Sequence, residues 1–394
     1  MKRITENIGL FNDSFPPVMD GVSVCVYNYA YWMQKMVGGV SVITPNVPGT
    51  DYSEHDFEVL DYFSVPVPFR HPYVTGIAEV DPAFINKILT RKFKLVHAHC
   101  PFGSGLAAER VARLQGIPCV ATFHSKYRDD FSRVIPSRKI VDTIIKQIIS
   151  FYENADEVWV PQASVEEVIR EYGYKGKVEV VDNGSDLVAD YPEKFFVDSR
   201  RELGIAPDEF VFLFVGQHIW EKNVRFIIDA LEGIKDLRFR MLFVGTGYAA
   251  DAMKELVSEK GLDGAVTFVG SVTEREAMKK YYAAADLFLF PSLYDNAPLV
   301  VREAAALGTP AVMVRGATAS TILQDGDNGF LIDNDLQSFE TRLRELVADP
   351  GRVRRAGVQA SKTLVRSWED IVGEVLDRYN SLISRRTLIG KLQG

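Results

Sequence analysis

Cysteine is scarce in this 394-residue chain: Cys25, Cys100 and Cys119 are odd in number and widely scattered, with no Cys-x-x-Cys pair. That excludes a disulfide framework and a zinc knuckle and points to a reducing compartment. Long hydrophobic runs are also lacking. After Lys2 and Arg3 the apolar run 8–11 is too short for a signal peptide, and nothing approaches the ~20 apolar residues of a membrane span. The expectation is a cytoplasmic protein, touching a membrane at most peripherally on its inner face. Positive charge is in deficit, 45 Lys and Arg against 53 Asp and Glu, for a net charge of −8. Nucleic-acid backbones are bound through Lys/Arg surfaces, so a nucleic-acid partner is not expected. Internal repeats and low-complexity tracts are missing too.

What is present is globular material, 47% hydrophobic and 25% charged, at a length that suits two domains. Strand-like runs at 7–11, 40–44, 95–98, 119–123, 157–160 and 178–181 alternate with amphipathic helical stretches. A second series begins at 210–216 and continues at 239–244, 266–269, 287–290 and 311–314. Such alternation predicts parallel sheets with crossover helices, hence an α/β chain of two doubly wound, Rossmann-like domains. Residues 186–194 lack a period and contain Pro192, which places the linker there and gives domains at 1–185 and 195–366. Ligands of open α/β sheets bind beyond the carboxyl ends of the strands, so two such sheets facing each other would make a cleft.

The most informative stretch runs from Ser292 to Pro310. It sets Asp295 and Glu303 eight residues apart, one in a strand-to-helix turn and one in the helix that Gly308 ends. A helix start carries unpaired N–H groups and partial positive charge, which suits a phosphate, while Glu303 can accept hydrogen bonds from sugar hydroxyls. Nucleotide-sugar chemistry is the reading these positions suggest. The run 215–223 likewise follows a strand and opens a helix, bringing Gln217, His218 and Lys222 to a loop of the same kind. His124 ends a strand, and Gly21 stands at a helix start, where it either lets backbone approach a phosphate or is a plain turn glycine.

Three further patterns carry less. Gly245-Thr-Gly247 followed by Ala250 resembles a dinucleotide fingerprint, but the acid that a nicotinamide enzyme needs at the end of the next strand is misplaced at Asp263. His97 and His99 face one side of a strand without a third ligand at a convincing spacing, so they read as core or acceptor-pocket histidines rather than a metal pair. Asp333-Asn-Asp335 reads as a turn and helix cap. No metal or cofactor is therefore expected.

The chain resembles the retaining glycosyltransferases of family 4, whose signature is a Glu, seven residues and a second Glu, followed by Gly-Thr-Pro. The motifs are nearest to the bacterial branch that glycosylates diacylglycerol, through Asp20-Gly21-Val22 and His97-Ala-His99-Cys-Pro-Phe102. The resemblance implies the GT-B fold, two Rossmann-like domains facing across a cleft, with a C-terminal helix over 367–386 crossing back to the N-terminal domain. The pattern of that helix equally allows packing on its own domain. The resemblance implies a nucleotide diphosphate sugar, a UDP-sugar first, as donor. Glu303 would hold the ribose, Asp295 and His124 would work at the sugar, and Lys222 and Gln217 would face the departing diphosphate. Gly21, Gly245, Asn296 and the N–H groups of Leu299 and Val300 would line the donor. The chain departs from the family in having Asp295 for Glu, Gln217 for Arg and Pro298 for a common Gly. The acceptor is a hydroxyl. A membrane glycerolipid is favoured over a soluble or polysaccharide acceptor, because Arg128, Arg133, Arg138, Lys139 and Lys146 flank an apolar run at 140–151 and suit an anionic surface. The rival readings are a nucleotide-sugar-binding protein without transfer and a nucleotide-dependent oxidoreductase.

Overall fold

A computed structural model describes residues 7–67 and 73–393. The chain divides into two compact units, the first running to Asn183 and taking in the segment from Trp368 onward, the second being Gly184–Ser367.

The strands of the first unit are β1 (Ile8–Phe11), β2 (Val40–Pro45), β3 (Glu58–Tyr62), β4 (Ser64–Pro66), β5 (Val74–Gly76), β6 (Leu95–Ala98), β7 (Cys119–Thr122), β8 (Glu157–Val160) and β9 (Val178–Val180). Seven of them form one parallel sheet in the order β3-β2-β1-β6-β7-β8-β9, with β4 and β5 as a separate antiparallel pair. β1 and β2 are buried along their whole length, as expected of strands covered on both faces. The helices are α1 (Gly21–Met36), α2 (Pro82–Thr90), α3 (Gly103–Gln115), α4 (Tyr127–Val134), α5 (Arg138–Glu153) and α6 (Val165–Glu171). In α5 the residues Val141, Ile145, Ile148, Ile149 and Tyr152 recur at helical spacing and are buried, which docks one face and leaves the charged one outside.

The second unit holds β10 (Phe210–Val215), β11 (Phe239–Val244), β12 (Val266–Gly270), β13 (Leu287–Leu289), β14 (Ala311–Val314) and β15 (Phe330–Ile332) in a parallel sheet of order β12-β11-β10-β13-β14-β15. Its helices are α7 (Glu193–Glu202), α8 (Val224–Gly233), α9 (Ala250–Glu259), α10 (Arg275–Ala284), α11 (Leu299–Ala306), α12 (Leu336–Ala348) and α13 (Pro350–Thr363). In each sheet the order reverses beside its first strand, between β1 and β6 and between β10 and β13. Beyond the carboxyl ends of the strands, that reversal opens a crevice.

The last helix, α14 (Trp368–Gln393), buries Trp368, Ile371, Val372, Val375, Leu376 and Tyr379. Trp368 meets Tyr29 of α1 edge-on at 6.0 Å between centroids, and Tyr379 stacks on Trp159 of β8 at 5.7 Å. The C-terminal helix thus returns to the first unit, and it runs past residue 386. Residues 186–194 pack with the second unit instead of spanning freely: Leu187 is fully buried in that core and Tyr191 lies against it. Four strands escape the sequence pattern, β3 because it is an edge strand with Glu58 and Asp61 in it, and β4, β5 and β15 because they have three residues each. Asp335 caps α12, accepting the Ser338 N–H at 2.8 Å.

Candidate functional site: a charged crevice and a histidine cluster

In the second unit the chain leaves β10 through Gly216 and Gln217 and passes a single 3-10 turn, Trp220–Lys222, before α8. On the other side of the reversal it leaves β13 through Ser292, Asp295 and Asn296 before α11. These two loops bring together residues 73 positions apart: Lys222 Nζ lies 2.5 Å from Asp295 Oδ1, and the Ser292 hydroxyl donates to Asp295 Oδ2 at 2.6 Å. Both charged side chains are largely enclosed, at 16% and 15% exposure. Lys222 is also 5.4 Å from the centroid of the Phe290 ring. Such a pair is stiff, and removing one partner strands the other away from bulk water.

Glu303 is buried one turn inside α11, and both of its oxygens are engaged. Arg275 Nη2 donates to Oε1 at 2.9 Å, and the Tyr282 hydroxyl donates to Oε2 at 2.7 Å. Arg275 also forms a two-pronged contact with Asp186. Burial works against the guanidinium charge, but Glu303 and Asp186 outweigh it and hold Arg275 more firmly protonated than usual. Burial, with the Glu303 charge behind it, pushes the Tyr282 phenol well up, so it stays a donor. Sequence reasoning missed Arg275 and Tyr282. Their spacing of seven puts them on one face of α10, but nothing local says that this face meets α11.

The other donor-loop residues are placed as follows. Gln217 is exposed, Asn296 and Leu299 are buried and Val300 is half-buried. α11 starts after Pro298 with no side chain capping it, and Gly308, at φ +75°, ends the turn that follows it. Gly245 has φ +133°, and a Cβ there would lie 2.0 Å from the Gly216 carbonyl oxygen. The approach that demands glycine is thus between the two strand-end loops of the protein itself. His218, next to Gln217, supplies no positive charge that could stand in for the family's arginine. It is buried between Phe243 and Phe268, and burial, then Lys254, lower its pKa to about 4.

In the first unit, Gly21 opens α1 with free space where a Cβ would stand, and Asp20 already accepts the N–H groups of Val22 and Ser23 at 2.9 and 2.8 Å. His97, His99 and His124 meet at the ends of β6 and β7. His97 Nδ1 lies 2.5 Å from the Tyr379 hydroxyl and Nε2 lies 2.7 Å from Thr122 Oγ1, so this ring ties α14 to the sheet. His99 Nδ1 and His124 Nε2 are 3.1 Å apart. Burial keeps all three rings neutral: His97 and His99 are pushed well down, and His124 to about 4. The reading of His97 and His99 as core or pocket residues fits this packing; His99, unlike His97, also stands in a group with His124 and Cys25.

The basic face is narrower in the structure than the sequence suggests. Arg128 pairs with Asp142 and Arg133 with Asp130, while Ile145, Ile148 and Ile149 face the core. Arg138, Lys139 and Lys146 remain exposed, alongside Val134 and Ile140 at 62% and 53% exposure. Among the described residues, no helix is long and apolar enough to cross a membrane.

Two parallel, doubly wound halves whose strand-end crevices carry these residues define a GT-B glycosyltransferase. Residues 19–188 match the model described as Glycosyltransferase Family 4, and residues 196–363 the model described as Glycosyl transferases group 1. The chain belongs to the family 4 glycosyltransferases. It is 24% identical over 401 residues to the alpha-monoglucosyldiacylglycerol synthase of Acholeplasma laidlawii, covering 96% of this chain and 100% of that one. Among solved structures it is similar to sucrose-phosphate synthase from Thermosynechococcus elongatus, with TM-score 0.82 and 22% identity over 97% of this chain and 100% of that one. Anabaena HepE in complex with UDP and glucose gives TM-score 0.78 at 18% identity, over 96% and 100% of the two chains.

Proposed function

We propose that this chain is a retaining transferase that moves a hexose from a UDP-sugar to a hydroxyl of a membrane glycerolipid, without a metal. The observation that carries the reading is the charged crevice of the second unit, where Lys222–Asp295 and Glu303–Tyr282 are held with little exposure and the more open Arg275 pairs with Glu303. Glu303 accepts from the ribose hydroxyls, with Arg275 and Tyr282 fixing its rotamer. Lys222, the Gln217 amide and the uncapped N–H groups of Leu299 and Val300 stabilise the diphosphate as its bond to the sugar breaks. Asp295 orients the sugar, together with Asn296, and the family resemblance gives His124 the same task from the first unit. Gly21 and Gly245 keep their loops close to the donor. The acceptor oxygen attacks on the face that the diphosphate leaves and gives its proton to a phosphate oxygen, so the anomeric configuration is kept.

The lipid acceptor is supported by the diacylglycerol-glycosylating relative and by Arg138, Lys139 and Lys146 beside exposed Val134 and Ile140. Basic side chains near anionic lipid contribute about 1 kcal/mol each. The test is transfer of labelled hexose from UDP-hexose into diacylglycerol presented in anionic vesicles, with chelator present. A lipid product of unchanged anomeric configuration is expected. Transfer only to water-soluble acceptors would move the acceptor elsewhere, and loss of turnover with chelator would contradict the metal-free reading. Vesicle flotation isolates the membrane step: salt-sensitive binding lost on replacing Arg138 and Lys139 by Glu is expected, and equal, negligible binding to anionic and neutral vesicles would rule the surface out.

A further inference from the structure

Three donor groups of the first unit converge from separate elements. Cys25 sits on α1, His99 follows β6 and His124 follows β7, and one ligand atom of each lies within 4.8 Å of the others. Cys25 and His99 are buried, and His124 is half-buried. The surroundings hold them in place. The His99 ring lies 4.0 Å from His97 and 5.3 Å, edge-on, from Tyr29, and Cys25 Sγ is 3.7 Å from Asn183 Oδ1. The His99 nitrogen that faces His124 is Nδ1; its other nitrogen, Nε2, is buried without a hydrogen-bond partner, which leaves the hydrogen-bonding capacity of this ring only partly used.

We propose that Cys25, His99 and His124 form a binding site for a soft or borderline cation of the zinc class, and that occupation of this site inhibits the enzyme. A tetrahedral ion at about 2.0–2.1 Å from imidazole nitrogen and about 2.3 Å from thiolate sulfur needs its donors a little over 3 Å apart. The 3.1 Å between the two imidazoles and the 4.8 Å limit on the set leave only side-chain adjustments to make. One thiolate and two imidazoles select zinc, cobalt or copper(I) over magnesium, manganese or calcium, which prefer oxygen. On binding, the Cys25 thiol gives its proton to solvent and the two imidazoles contribute lone pairs; the fourth position is left for water. The cation is not a cofactor in this account. It inhibits because it takes His124, and that step rests on the assignment of His124 to the donor sugar, whereas the binding step does not.

The test uses the full chain without a histidine tag, titrated with Co²⁺ and followed by absorption. One equivalent is expected to give a thiolate-to-cobalt charge-transfer band with tetrahedral visible bands, and Zn²⁺ is expected to displace it while Mg²⁺ is not. Cys25→Ser should lose the band and bind Zn²⁺ at least about tenfold more weakly, since even outer-shell changes cost that much. Its transfer should continue, no longer inhibited by Zn²⁺. Cys25→Ala is measured alongside in case the serine disturbs α1, and a Cys100→Ala/Cys119→Ala double variant must keep the band. No band at one equivalent, or a band that survives loss of Cys25, would overturn the site. Tight Zn²⁺ binding through Cys25 without inhibition would keep the site and remove His124 from the reaction.

Discussion

The two units furnish equivalent crevices with opposite chemistry. At the reversal of the second sheet the strand ends carry ions already in pairs, Lys222 with Asp295 and Arg275 with Glu303. At the reversal of the first, the strand ends carry neutral imidazole rings with the Cys25 thiol of α1 beside them, all kept uncharged by burial. A diphosphate and a ribose are bound by charge and by oriented donors, so the first arrangement suits the nucleotide. Neutral, tightly packed imidazoles give little affinity for a dianion but can fix an uncharged sugar. Under the proposed reading the same fold would serve two tasks, because the two units share the position of the strand ends and not the side chains near them.

The comparison breaks most visibly at Lys222. Replacing it with Ala should cut turnover by on the order of 10²–10³, the cost of removing one preorganised donor from developing charge. Normal turnover at saturating donor would take Lys222 out of the reaction. Asp295→Ala makes the pairing testable from the other side: transfer should fall, while nucleoside diphosphate affinity holds or rises because Lys222 no longer shares its charge with a carboxylate. A matching loss of diphosphate affinity would show that Asp295 acts on the nucleotide.

Glu303→Ala removes charge-assisted hydrogen bonds of roughly 1.5–3 kcal/mol, and donor affinity should fall about ten- to a hundredfold. Tyr282→Phe is a smaller probe. It leaves Glu303 in place but frees one oxygen, and a loss of about 0.5–1.5 kcal/mol is expected in donor binding, with kcat little changed. An equal effect on a 2′-deoxyribose donor would show that the change does not pass through the ribose.

The smallest effect is on stability. The folded pKa of His218, about 4, lies below the ordinary imidazole value near 6.5. Below the ordinary value the unfolded chain takes up the proton first. His218 therefore contributes stability that is complete above about pH 6.5 and lost as pH falls through about 4. Urea midpoints of wild type and His218→Asn at pH 7 and pH 5 check this: acidification should cost the wild type more, and equal losses would mean that His218 is not held neutral.

Much of the architecture was legible in the chain. Strand runs such as 210–215 and 239–244, and glycine-ended helices such as the one after Pro298, announce themselves locally, and they placed Lys222 and Asp295 in turns after strands and Glu303 in the helix that follows. What stayed hidden depends on contacts between distant segments. Lys222 meets Asp295 across 73 positions, Arg275 meets Glu303 across 28, and Cys25 approaches His99 and His124 from α1. No periodicity encodes such meetings. Gly245 shows the same limit: the resemblance set it along the donor, but only the packed loops show the Gly216 carbonyl against it.

The division of labour is tested most directly by calorimetric titration of UDP into wild type, Glu303→Ala and His124→Ala, with transfer assayed on the same preparations. The account predicts that Glu303→Ala binds UDP about tenfold or more weakly, and that His124→Ala binds it as wild type does while transferring no sugar. A folded His124→Ala that loses UDP, or a folded Glu303→Ala that binds it undiminished, would contradict it.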